Sequence, residues 1–183
     1  MPILITIPPT ELYDDAKKEF INIDKEVKLL LEHSLIAISK WESKWHKSFF
    51  DPKVEKTPEM VNDYIVCMNR TPNVDPNVFS AIPQSEMKRI EEYLQDPMSA
   101  TTFNDPPQKK GKQEVQTSEL IYYYMFKLGI PKECEKWHIN RLLVLLKIYG
   151  IKDQPDKKVS KSEAMARYNA INAKNRARFN SKG

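Results

Sequence analysis

Residues 117–150, TSELIYYYMFKLGIPKECEKWHINRLLVLLKIYG, constrain the fold more than any other stretch. Two apolar runs flank Gly129-Ile130-Pro131, a pattern that predicts two helices joined by a tight turn. Thr117 or Ser118 offers a side-chain oxygen to cap the first helix. Gly129 can take the left-handed conformation that ends it. Pro131 suits the first position of the second helix, where its missing N–H costs nothing. From residue 142 to 148 that second helix is apolar almost all round, which predicts burial on most sides and makes the pair the expected hub of the fold. It carries no recognisable catalytic pattern.

The N-terminal end reads differently. Ile3–Ile7 is short, rich in β-branched residues and stopped by Pro8-Pro9, a strand signature. Glu19–Ile23 alternates and is expected to pair with it. Val27–Leu31 reads as a third strand or as the start of a helix. From residue 34 to 46 the period becomes helical, with Leu35, Ile38, Trp41 and Trp45 on one face. That face is either a core stripe or an aromatic anchor for a partner, since Trp is enriched at binding hot spots.

Thr57-Pro58 opens the next helix, with Thr57 as cap and Met60, Val61, Tyr64, Ile65 and Met68 following. A turn is expected at residues 73–76. Another helix starts at Pro83 or Ser85, presents Met87, Ile90, Tyr93 and Leu94, and stops before Pro97. Residues 100–116 read as a solvated loop and a hinge between halves, with a brief extended piece at residues 101–103. No repeat of fixed period is present. The chain is expected to form a mainly α, bundle-like domain over residues 1–154 with a small N-terminal β element, followed by a projecting basic helical tail over residues 155–183.

Charge supports that division. The tail holds eight Lys/Arg against Asp156 and Glu163, a net of +6, which leaves the preceding residues at −2 of the total +4. Ser160 and Glu163 form a capping box for a helix over residues 161–179. Its apolar residues, Ala164, Met165, Tyr168, Ile171 and Phe179, are too few to bury much alone, so this helix is expected to project or to fold against a partner. The four glycines all lie at or beyond Gly111, which excludes a Gly-rich phosphate loop in the first 110 residues and the usual punctuation of nucleotide-binding α/β enzymes. No basic leader precedes ILITI, so no signal peptide is expected. No apolar run reaches about 20 residues, so no membrane span is expected.

Particular residues are open to three chemistries. Cys134 and His138, four apart on one expected helix face, could both meet a metal. Zinc wants four ligands, no second pair with ligand spacing is evident, and Cys67 with His33 or His46 could complete a set only if the fold brought them close, so no metal site is expected. Cys134 at a first helical turn could be an activated thiolate beside a histidine. Cys67 and Cys134 read instead as reduced, buried thiols in a cytosolic protein. The basic tail could contact phosphate backbones, yet Lys/Arg at a helix C-terminus also complement its dipole.

Several segments together resemble a family of small proteins encoded by tailed bacteriophages, the tail assembly chaperones and related tail-module proteins. They are HSLIAISKWESKW (33–45), DYIVCM (63–68), DPMSATTF (96–103), TSELIYYYMFKLGIPKECEKWHINRLLVLLKI (117–148) and the closing KSEAMARYNAINAKNRARFNSKG. The resemblance covers most of the chain and includes no active-site motif. It implies a non-enzymatic, cofactor-free protein of the infected host's cytoplasm that coats the amphipathic helices of the tape-measure protein. The growing tube, built of tail tube protein, then displaces it. On this reading the partner-binding candidates are Trp41 and Trp45, Tyr122, Tyr123 and Tyr124, Trp137, and the arginines Arg167, Arg176 and Arg178. Homo-oligomerisation is compatible with it. The alternatives are a structural tail or neck component retained in the virion, and a phage protein binding nucleic acid through the basic tail; nucleic acid is the less expected partner.

Overall fold

The computed structural model describes residues 2–14, 18–103, 115–152, 165, 168–173 and 176. These are mainly helical, with small antiparallel hairpins at the N-terminal end. The chain divides into two units, Met1–Ile148 and Tyr149–Gly183. In the second, residues 168–173 are helical, and Met165, Tyr168 and Ile171 are exposed. The capping box at residues 160–163, together with Arg167 and Arg178, lies outside the described residues.

Strands β1 (Ile3–Ile7) and β4 (Val27–Leu31) form one antiparallel ladder, and β2 (Thr10–Asp14) and β3 (Glu19–Ile23) form another. The expectation that Glu19–Ile23 pairs with Ile3–Ile7 is therefore corrected. The chain reverses near Lys18, whose φ is 55°, so β3 meets its nearest upstream neighbour. That neighbour, TELYD, has too few β-branched residues to announce a strand. Continuing the same ribbon then brings β1 opposite β4. Pro8-Pro9 separates the two ladders because neither proline has an N–H to donate. Val27–Leu31 is thus a strand, and alternation sets its faces. Ile5, Ile7, Leu29 and Leu31 are fully buried, while their neighbours Leu4 and Leu30 point outward. Each buried side chain of this kind stabilises the fold by about 1.5–3 kcal/mol.

Helix α1 (Leu35–Trp45) starts at Ser34, whose hydroxyl accepts from the Ala37 N–H at 3.4 Å, and ends at His46 with a left-handed φ of 51°. Leu35, Ala37, Ile38 and Trp41 are buried along it. It packs against α2 (Pro58–Met68), against α4 (Ser118–Lys127) and against a 3-10 helix at Lys132–Lys136. The centre of the fold is therefore α1 rather than residues 117–150. Thr57 caps α2, as its position before Pro58 predicts. The turn at residues 73–76 continues into a 3-10 helix at Pro76–Ala81, and α3 (Gln84–Gln95) follows and packs on β1.

The predicted helix pair is realised only in part. Thr117 caps α4, and Gly129, at φ 64°, turns the chain so that the Ile130 N–H returns to the Met125 carbonyl at 2.9 Å. Pro131 does not open an α-helix. It precedes the 3-10 helix, the chain is extended at Trp137, and α5 (Ile139–Lys152) begins only after His138. Tertiary hydrogen bonds cause the break: His138 bridges Ser34, and the Ile139 N–H donates to the His33 carbonyl at 2.8 Å. Nor is α5 buried on most sides. Ile139 and Leu142 are buried, while residues 143–146 and Ile148 are half-buried. Its anchorage is in the first turn. There the Asn140 amide donates to the Leu94 and Asp96 carbonyls at 3.1 and 2.7 Å, and His138 Nε2 donates to the Tyr93 carbonyl at 3.0 Å. The Asn140 bonds engage carbonyls at the end of α3, where the helix itself supplies no donor.

Among the described residues no helix is long and apolar enough to cross a membrane.

Candidate partner-binding surface

Helix α4 has two unlike faces. Ser118, Ile121 and Met125 are buried, at the i, i+3 and i+7 positions that define a core stripe. The aromatic run falls off that stripe. Tyr123, Tyr124 and Phe126 are 54, 40 and 65% exposed. Tyr122 is half-buried and donates to Glu135 Oε2 at 3.0 Å; burial first, and then this carboxylate, push its hydroxyl up to about 12. Tyr122 stacks on Phe126 with ring centroids 6.4 Å apart, Tyr123 meets Tyr124 edge-on at 5.4 Å, and Lys127 lies over the Tyr123 ring at 5.8 Å. Large, rigid, amphipathic side chains in this arrangement suit protein recognition: they bury much area and lose little rotamer freedom.

What holds this face rigid lies beneath it. Glu42, on α1, is buried. Its two carboxyl oxygens accept from the Ser118 and Phe49 N–H groups, each at 2.7 Å. It thereby ties the N-terminus of α4 and the chain after α1 to α1 itself, with a negative side chain where the α4 dipole favours one. Beside it runs an open polar groove of about 450 Å³ between Ser43, His46 and Lys47 on one side and Thr117 and Glu119 on the other. The groove's buried carboxylate is already spent on these backbone donors.

The other predicted residues are placed elsewhere. Trp41 is fully buried and its Nε1 donates to the Met60 carbonyl at 2.9 Å, so it is a core side chain with no surface to offer. Trp45 is half-buried and donates to Asp63 Oδ2 at 2.9 Å, and Lys44 bonds the other oxygen of the same carboxylate. Trp137 is half-buried beneath the Arg141 guanidinium, 4.3 Å from the ring centroid. Arg176 is exposed on a helical residue of the second unit. Trp41 and Trp45 share α1, but only Tyr122, Tyr123 and Tyr124 share one element on which exposed rings gather. Phe126 was missed by sequence reasoning, although its offset from the Ile121–Met125 pair marks it as outward-facing. Glu42 was missed because on the polar arc of α1 it is indistinguishable from a solvated residue.

The metal and thiolate readings of Cys134 find no support in the geometry. Cys134 lies in the 3-10 helix and His138 in the extended break, so the two do not share a helix face. Burial pushes the Cys134 thiol up, opposite to the activation expected at a helix start. Among the described residues no group of three or more His, Cys, Asp or Glu could hold a metal ion. The histidines serve the interior. His33 and His138 are buried with ring centroids 4.9 Å apart. Tyr64 Oη bonds His33 Nδ1, Tyr93 Oη accepts from the His33 N–H at 3.2 Å, and Asn140 N–H donates to His138 Nδ1 at 3.3 Å. Burial, and then the neighbouring His138, lower His33 to about 3, and burial lowers His138 as well. The cluster joins the link between β4 and α1 to α2, α3 and the start of α5 with neutral side chains.

No family model, no curated protein and no solved structure matches this chain. The class that fold and surface define is a mainly helical protein whose distinctive exposed feature is an aromatic helix face.

Proposed function

We propose that this chain is a tail assembly chaperone of a tailed bacteriophage, working in the cytoplasm of the infected host without catalysis or cofactor. Its partner is the tape-measure protein. The observation that carries the reading is the outer face of α4: three exposed aromatic side chains on a helix held firmly by its opposite face. Such a face packs against the apolar stripe of a partner helix, side chain against side chain. The resemblance of residues 33–45 and 117–148 to the tail chaperones points to the same class. The body acts as a small bundle, and the net positive charge of residues 155–183 steers the partner electrostatically. Affinity is moderate, because the tail tube protein must displace the chaperone as the tube grows.

The test is co-expression with the tape-measure protein of the same phage, reading its solubility and co-purification. The expected result is a soluble complex that is lost when Tyr123 and Phe126 are both replaced by Ser, with the variant still folded by circular dichroism. A tape measure that precipitates regardless, or a complex indifferent to both substitutions, overturns the proposal.

A further inference from the structure

The exposed face of α4 has a direction. Glu119, Tyr123, Phe126 and Lys127 follow one another at helical spacing, which sets them on one arc, and all four are exposed. Glu119 lies in the first turn of α4 and Lys127 in the last. Opposite charges therefore bound the aromatic patch, roughly 12 Å apart along the axis at the helical rise. The ground beyond the two ends also differs. Past Glu119 the face runs into the polar groove of about 450 Å³, where Ser43, His46 and Lys47 stand across from Thr117. Each of those three side chains carries a hydrogen-bond donor. Past Lys127 the chain turns away at Gly129.

Resting on the reading of this face as the partner-binding surface, we propose that its occupant is a helix lying antiparallel to α4. An acidic residue of its first turn sits beside Lys127, a basic residue of its last turn beside Glu119, and its C-terminal end over the groove. Charge selects this direction. The macrodipole favours acidic side chains in the first turn of a helix and basic ones in the last. Only the antiparallel arrangement sets these against Lys127 and Glu119; a parallel helix would set acid against Glu119 and base against Lys127. The groove selects the same direction. The last four carbonyls of a helix have no donor of their own, and antiparallel docking delivers them to Ser43, His46 and Lys47. Between the two ends, apolar residues one turn apart cover Tyr123 and Phe126. The α4 of a second copy would match the charges but not the groove. Its Tyr124, Met125 and Phe126 carbonyls already accept from the Leu128, Ile130 and Gly129 N–H groups. The fitting partner is thus a helix with an apolar stripe of about two turns, acid before it, base after it and a free C-terminal end.

Photocrosslinking in the complex with the tape-measure protein of the same phage tests this. Benzoylphenylalanine is introduced in place of Phe126, at the Lys127 end, or of Gln116, at the groove end; both side chains are exposed, so the fold should survive. Mass spectrometry then maps the captured residues. Both positions should capture one tape-measure helix, with the residue taken from position 126 about eight to ten residues N-terminal to the one taken from position 116. Lys127→Gln and Glu119→Gln should each weaken the complex about two- to fivefold, as exposed ion pairs do. The reverse order, a mixture of both orders, capture of a second copy of this chain, or no capture within an intact complex overturns the antiparallel helix and leaves the chaperone reading standing. So does a complex indifferent to both glutamine variants. Failure to form any complex with the tape-measure protein overturns both.

Discussion

Helices α1 and α4 both carry aromatic residues at close spacing, and the two send them in opposite directions. On α1, Trp41 lies three residues after Ile38, on the stripe begun by Leu35, and is fully buried. On α4 the stripe belongs to Ile121 and Met125, and the aromatics at positions 123, 124 and 126 fall on the other arcs. Aromatic content alone therefore says nothing about burial. Phase relative to the aliphatic residues decides it, because one helix turn of 3.6 residues commits a single arc to the core. Two helices of similar length thus contribute a core anchor in one case and an exposed aromatic face in the other.

Substitutions at both ends of that contrast should differ widely. Trp41→Ala is expected to cost the most, about 3–5 kcal/mol in urea denaturation, because it removes a buried ring and its hydrogen bond to the Met60 carbonyl. A cost near zero would mean that α1 is not the centre of the core. Next comes acid. Folding holds His33 at about 3, against an ordinary 6.5. Above pH 6.5 both states carry it neutral, so it adds no pH dependence. Below that the unfolded chain takes up a proton that the folded chain refuses, and stability should fall as pH drops from 6.5 towards 3. Stability against pH should be visibly flatter in that window for His33→Gln; equal slopes would assign the acid sensitivity to other groups. Glu42→Gln should cost about 1–3 kcal/mol, since an amide can accept from only one of the two N–H groups and sets its own donors against the other. Thermal melts of that variant also test whether α4 is held from α1. The smallest effect belongs to the outer face: Tyr123→Ser with Phe126→Ser should move stability by no more than about 0.5 kcal/mol while abolishing partner capture. A large loss of stability there would make those rings structural.

Local chemistry was the legible part of the fold. Ser34, Thr57 and Thr117 are caps whose side-chain oxygens compete for the first free N–H groups within three residues of themselves. Gly129 ends a helix because a left-handed residue costs it little. Such signals act over a few positions and survive any tertiary arrangement. The candidate site was legible as a run of tyrosines, but not its boundary, since Phe126 lay beyond the run and Trp41 belonged to the interior.

The rest depended on partners distant in sequence. Whether Glu19–Ile23 would face β1 or β2 was open to a pattern of alternation, which fixes faces but not neighbours. The break between the 3-10 helix and α5 arises where Ser34 and His33 meet His138 and Ile139, a contact across about a hundred residues. Glu42 looked like any solvated carboxylate until α4 brought the Ser118 N–H to it. The sequence by itself determined where most elements begin and which arc of a helix is apolar, because those follow from backbone dihedrals and side-chain period. Only the tertiary structure decided which strands pair, where α5 starts and which polar groups are interior, because a hydrogen bond between remote segments outweighs the weak local preference it replaces.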